Sequence, residues 1–253
     1  PSRTSVLTGL ERVRKAARQD RRVQFTNLLH HVTVEHLRAS FYELRRGAAP
    51  GVDGVTWKQY EDELEKRLPG LHEKIHRGSY RAQPSRRVHI PKADGRNRPL
   101  GIASLEDKVV QQAVTRVLNE IYEEDFVGFS YGFRQKRSQH MALDALTVGL
   151  RQKRVNWVLD ADIRGFFDTI DHQWMIRFLK HRIADPRILR LIQKWLRAGV
   201  SEDGNWTKTE VGIPQGAVIS PLLANVFLHY VFDLWVVKWR KENATGDQIV
   251  VRY

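Results

Sequence analysis

Val155-Asn-Trp-Val-Leu-Asp160-Ala-Asp162-Ile-Arg-Gly-Phe-Phe167-Asp-Thr-Ile-Asp-His172 is the stretch on which the reading of this chain turns. Val155, Trp157, Leu159, Ala161 and Ile163 alternate with Asn156, Val158, Asp160 and Asp162, the period of two that sends successive side chains to opposite faces of a strand. The predicted strand carries two carboxylates on one face at its C-terminal end, followed at once by Arg164-Gly165-Phe166-Phe167. Charge withdrawn from water needs a partner, and a divalent cation suits carboxylates at a strand end. The same residues fit a strand that merely ends and caps a turn, and the stretch alone leaves both readings open.

Outward from that stretch, the bulk composition sets limits. At 253 residues the chain is long enough for a large core, and 42% hydrophobic with 28% charged residues is the mixture of a globular protein. A net charge of +13 calls for a polyanionic partner, most simply nucleic acid. With no cysteine, the sequence excludes disulfides, thiolate zinc sites and cysteine nucleophiles. The most apolar run, Pro221 to Val237, is interrupted by Asn225, His229 and Asp233, so no membrane span is expected. The Arg-rich N-terminus fits an organelle transit peptide or a basic arm on nucleic acid, and the overall charge favours the arm.

On the N-terminal side, residues 6–46 read as helix, and Gly47 to Gly54 as a loop. Thr56 is an N-cap candidate for a helix through Tyr60, Leu64, Leu68 and Leu71. Residues 77–98 hold Arg77, Arg81, Arg86, Arg87, Lys92, Arg96 and Arg98 against the single acid Asp94. Ser85 to Ile90 and Arg98 to Ile102 read as the two strands of a basic hairpin suited to phosphates. Ser104 begins a helix, with Asp107 as its capping partner; Ser130-Tyr-Gly-Phe-Arg134 is a loop, and Ser138 to Leu150 is helical. On the C-terminal side, Asp171 caps a helix, Pro186 to Ala198 forms another, and Trp206 to Val211 is strand-like. Gly212-Ile-Pro-Gln-Gly216 leads to Ser220 as N-cap and Pro221 as first helical residue of a long helix, whose apolar face is expected against the central strand. Gln248 to Tyr253 reads as a final strand.

Taken in order, the hairpin with Arg98-Pro-Leu-Gly101, Ser130-Tyr-Gly-Phe-Arg134, Ala161-Asp-Ile-Arg-Gly-Phe-Phe-Asp-Thr-Ile-Asp-His172, Gly212-Ile-Pro-Gln-Gly216 and Ser220-Pro-Leu-Leu-Ala-Asn225 resemble the fingers and palm of a group II intron reverse transcriptase, or intron maturase. The resemblance runs from about Gly47 onward, and the basic segment before it resembles the extension such enzymes carry. It implies an α/β (α+β) fold of the right-hand polymerase type: an antiparallel palm sheet backed by helices, and helix-rich fingers bearing the basic β-hairpin. Residues 1–46 would be the extension, 47–150 with 171–211 the fingers, and 151–170 with 212–253 the palm.

The implied activity is RNA-directed DNA synthesis by two-metal nucleotidyl transfer on Mg²⁺. Asp162 resembles the first catalytic aspartate and Ile163 the residue whose carbonyl joins it on the metals, whereas Asp160 matches no family ligand. Arg164, Gly165 and Phe166 resemble the turn that holds the triphosphate, Phe167 the aromatic gate under the sugar, and Gln215 the residue touching the incoming nucleotide. Lys92 and Arg98 resemble the fingers residues closing on the triphosphate, while Arg77, Arg81, Arg86, Arg87 and Arg134 are expected on nucleic acid. Implied partners are intron RNA template, RNA/DNA primer-template duplex and dNTPs, in a bacterial cytoplasm or an organelle and off the membrane; an open sheet edge would also invite a homodimer. The family's remaining two aspartates follow a Tyr that Tyr253 matches, and they fall outside this sequence, so these 253 residues alone are expected to be inactive. A CRISPR- or defence-associated reverse transcriptase, and a non-catalytic RNA-binding module of the same fold, share these motifs.

Overall fold

The computed structural model describes residues 3–91, 95 and 97–253, with side chains from residue 9 onward. The helix α1 (Arg3–Gln19) leads through a 3₁₀ turn (Leu29–His31) to α2 (Val34–Glu43), α3 (Trp57–Asp62) and α4 (Leu64–Arg77). The strands β1 (Ser85–Pro91) and β2 (Asn97–Ile102) precede α5 (Leu105–Asp125), α6 (Gln139–Gln152), the single turn α7 (Phe166–Thr169), α8 (His172–Lys180) and α9 (Pro186–Arg197). Short strands β3 (Val200–Glu202) and β4 (Asn205–Thr207) come next. The last helix is α10 (Ser220–Leu228), a π-helical turn (His229–Asp233) and α11 (Leu234–Asn243). The sheet order is β2-β1-β3-β4, antiparallel within each hairpin and parallel between β1 and β3.

Polar caps place the helix starts. Thr56 and Gln59 form a reciprocal capping box, and Ser104, Ser138 and Asp171 each accept from an amide three residues on. The predicted helix from Thr56 divides at Glu63 into α3 and α4. At α10 the expectation fails: Ile219 occupies the cap position, and the Ser220 hydroxyl instead donates to the Pro214 carbonyl at 2.8 Å. The helix α5 is the axis of the core, with Val109, Val110, Ala113, Val114, Val117, Leu118, Ile121 and Tyr122 all fully buried. Residues 6–46 are not one helical run, since the chain leaves α1 at Gln19 and re-enters helix at Val34.

The Arg-rich α1 is not a free arm. Leu10, Val13 and Ala17 are buried, and Arg14 and Arg18 both grip Glu124 of α5 at 2.7 and 2.9 Å. The Arg18 and Arg14 hydrogen bonds hold the Glu124 carboxyl down to about 2. From the turn after α8 comes Arg182, only 2% exposed, whose guanidinium donates to the carbonyls of Ala17, Asp20 and Val23 and pairs with Asp125 at 2.9 Å. Ala17 lies in the last turn of α1, where helix carbonyls lack internal donors, and Asp20 and Val23 lie in the chain just after it.

The sheet is built on the basic hairpin and not on the central stretch. Residues 154–163 run without ladder partners among the described residues, and Trp157 and Leu159 are 91% and 90% exposed. An alternating pattern defines two faces, but a strand also needs a neighbour for its backbone groups. The helix α10 therefore packs on α8 and α5 instead of on a central strand. At the last predicted strand the structure has one parallel bridge, Ser130 to Arg252. Arg252 anchors it with a two-point pair to buried Asp233 at 2.8 Å, adding bonds to Asn225 and Ser130. The continuous helix Ser220–Asn243 is long and apolar enough to cross a membrane by length and composition, but half of its most apolar window is buried and the Asp233–Arg252 pair lies on it. That is the pattern of a core helix.

Burial pushes His31, His36 and His229 from 6.5 down to about 4. The unfolded chain binds these protons first, so their contribution to stability is lost as pH falls from about 6.5 toward 4. Burial raises Asp125 to about 6, against the pull of Arg182, which acts in the opposite sense over about 4 to 6. The three histidines outnumber Asp125 and take up protons on unfolding near pH 5, so their balance lowers stability as pH falls there. Urea midpoints should therefore fall steeply between pH 6.5 and 5; a flat profile would contradict the burial of these rings.

Candidate active site

The Gly212-Ile-Pro-Gln-Gly216 turn is sewn to two other segments through backbone atoms. Ile213 N donates to Phe167 O at 2.7 Å, Gly212 N to Ile170 O at 2.9 Å, and Gly101 N to Gln215 O at 2.6 Å. The His172 Nε2 contacts Gly212 O at 2.6 Å. Such closeness needs residues without side chains. At Gly212 (φ +91°) a Cβ would lie 2.9 Å from Asp168 O, and at Gly216 (φ +100°) 2.9 Å from Gly101 O. One turn thus fixes β2 and the α7 turn relative to each other.

The side chains above this backbone form a chain of hydrogen bonds. Arg98 Nε donates to Gln215 Oε1 at 3.0 Å, and Gln215 Nε2 donates to the Asp168 carboxylate at 3.2 and 3.4 Å. A guanidinium only donates and a carboxylate only accepts, so the two neighbours fix which way the Gln215 amide points. Arg98 and Gln215, predicted from separate motifs, are brought together. Asp168 was not foreseen; its one signal in the sequence is its place immediately after Phe167.

Gly165 takes φ +62° and starts α7, whose amide at Asp168 returns to Gly165 O at 2.9 Å. The Phe166 ring packs toward Phe227 of α10 with centroids 6.3 Å apart, and Phe167 stands half-buried with its ring 5.6 Å from that of Phe166. Asp162, Ile163 and Arg164 are exposed on the extended segment before this turn. The Asp162 carboxylate has no hydrogen bond or ion pair among the described residues, and neither has Arg164. As a hard oxygen donor, Asp162 suits a divalent cation, with the Ile163 carbonyl beside it. Among the described residues no group of three His, Cys, Asp or Glu side chains converges to hold a metal ion. The fit is therefore to part of a coordination sphere.

The predicted nucleic-acid arginines divide. Arg81 is exposed; Arg77 is exposed beside Glu73 at 2.7 Å; Arg87 faces Glu202 at 3.7 Å. Arg86 turns inward, donating twice to Pro50 O at 3.1 and 2.8 Å. Arg134 is 9% exposed and spends its guanidinium on Glu123, Val127 O and Ser130 O, which makes it part of the scaffold of its loop. Lys92 lies outside the described residues.

A family described as "Reverse transcriptase (RNA-dependent DNA polymerase)" matches residues 90–253, which include β2, the α7 turn and the Gly212–Gly216 turn. The chain belongs to the reverse transcriptase family. This reverse transcriptase chain is 35% identical over 252 residues to the group II intron-encoded protein LtrA of Lactococcus lactis subsp. cremoris, covering 96% of this chain and 41% of LtrA. It is 39% identical over 183 residues to protein YkfC of Escherichia coli (strain K12), covering 71% of this chain and 48% of YkfC. The chain thus spans less than half the length of these two curated relatives. A solved structure titled "Partial Cas6-RT-Cas1--Cas2 complex" superposes with a TM-score of 0.51 at 23% identity, over 81% of this chain and 34% of that one, and shows a shared fold.

Substituting alanine at Gly216 imposes an L-residue at φ +100° and presses a methyl against Gly101 O. Gly216→Ala should cost about 2 kcal/mol in denaturant unfolding, whereas Gly246→Ala, with nothing within 4 Å, should stay within about 0.5 kcal/mol. Equal effects at both positions would remove the argument for close backbone approach.

Proposed function

We propose that this chain supplies the nucleotide-binding part of an RNA-directed DNA polymerase of the group II intron-encoded type, in a protein that also binds its intron RNA. The observation that carries the reading is the Arg98–Gln215–Asp168 chain of hydrogen bonds, which joins the hairpin, the Gly212–Gly216 turn and the α7 turn at one place. In this reading residues 47–150 with 171–211 are fingers, residues 151–170 with 212–253 are palm, and residues 1–46 are the N-terminal extension. Partners are an RNA template, a primer-template duplex and dNTPs.

Arg98 and Lys92 bind the triphosphate of the incoming dNTP. The rigid fork of Arg98 suits phosphate oxygens, and Gln215 holds that fork in place until the ligand arrives. Arg164, Gly165 and Phe166 form the turn beneath the phosphates. Phe167 lies under the sugar and excludes a 2′-hydroxyl by contact. Asp162 and the Ile163 carbonyl hold Mg²⁺, which when bound supplies Lewis-acid stabilisation for phosphoryl transfer. Arg77, Arg81 and Arg87 remain available to phosphates of the template. The exposed backbone of residues 154–163 offers an edge on which a second copy could pair; light scattering that finds only monomer removes that dimer.

The test uses the full natural protein with primer-template and Mg²⁺. Asp162→Asn should abolish primer extension, more than 10³-fold on the scale of losing a charged group that acts at the reacting phosphate, while RNA affinity changes less than about twofold. Joint loss of synthesis and binding would make Asp162 structural.

A further inference from the structure

The helix α9 carries Arg187, Arg190, Lys194 and Arg197 and no acidic residue. Spacings of three, four and three residues align them on one stripe of the helix. The opposite face, Ile188, Leu191, Ile192 and Trp195, is buried in the core. Arg190 and Arg197 are exposed, and neither pairs with a carboxylate among the described residues. The other two cations are fixed from below. Arg187 is clamped by Asp185 and Asn27, and Lys194 donates to the carbonyls of Gly78 and Tyr80 at the end of α4.

A shallow cavity beside Gly78 is lined by Arg77, Arg187, Arg190 and Lys194. Burial lowers the Lys194 ammonium, and the charges of Arg190 and Arg81 push it the same way. Like charges are thus gathered here, with the Arg77–Glu73 and Arg187–Asp185 pairs as their partial neutralisation. Arg187 and Lys194 serve the fold through these bonds, whereas Arg190 and Arg197 have no carboxylate partner among the described residues. The charged face fits a polyanion.

We propose that the α9 stripe, extended by Arg77 and Arg81, is a docking surface for the phosphate backbone of RNA, separate from the nucleotide site. The proposal rests on the reading of the partner as RNA. Ten residues of α-helix span about 15 Å, long enough to follow several consecutive phosphates. The stripe is made only of cations that suit phosphate, so the binding is independent of sequence and sensitive to salt.

In the full natural protein, Arg190→Gln/Arg197→Gln and the stronger Arg190→Glu/Arg197→Glu should each keep the wild-type melting temperature, because both side chains lie in solvent. Affinity for an RNA hairpin, measured against KCl concentration, should drop about tenfold or more, and the slope of log K against log salt should shrink by roughly two. The KM for dNTP at saturating primer-template should stay within about twofold. An unchanged affinity and slope overturns the proposal, as does a loss that appears only in the dNTP KM. Absent polymerisation with the slope change intact would sink the activity reading and leave the stripe standing.

Discussion

The rest of the site depends on how closely three backbones approach at the Gly212–Gly216 turn. Gly101 N reaches Gln215 O, Ile213 N reaches Phe167 O, and glycines stand where a methyl group would collide. Hydrogen bonds between main chains set distances that side chains alone do not hold so firmly, because they leave no rotamers to choose. The side-chain alignment of Arg98, Gln215 and Asp168 is a consequence: once the backbones are locked, short reaches from three segments meet. The Ser220 hydroxyl contributes from below by holding the Pro214 carbonyl. Its apparent failure to cap α10 is better understood as service to the turn.

How much of this was legible in the sequence varies with the kind of signal. Caps at Thr56, Ser104, Ser138 and Asp171 could be read because capping is local, a polar side chain bonding an amide three residues away. The basic hairpin was legible from alternation, and β1 and β2 lie within a residue of the expected ends. The strand over residues 155–163 was misread because alternation describes faces and says nothing of a neighbour. The strand β3 is three residues long, too short for any period to register, and of the strand expected over Trp206 to Val211 only Trp206 and Thr207 lie in β4.

Site residues follow the same division. Arg98 and Gln215 came from separate motifs, and the fold brings them within hydrogen-bonding distance. The interior positions of Arg86 and Arg134 were not legible, since arginine is a surface residue by default and burial is decided by carbonyls and acids distant in sequence. Asp168 escaped notice for a related reason: its partner lies 47 residues on, across a turn that only the fold brings near. The stripe on α9 was present in the letters as four cations at helical spacing. Its meaning depended on knowing that the other face was occupied.

The buried Arg182 has a consequence for the order in which the molecule is completed. Its bonds to Ala17, Asp20 and Val23 close contacts of 159 to 165 residues, and Asp185 receives the amides of Leu28 and Leu29 across 157 and 156. During synthesis α1 and the turn after it emerge well before Arg182, and the carbonyls of Ala17, Asp20 and Val23 wait without this donor while 159 to 165 further residues are made. Contacts of such separation are slow to close. The apolar face of α1, Leu10, Val13 and Ala17, is covered earlier by α5, so the packing of this helix and the satisfaction of the carbonyls around its end are completed at different times.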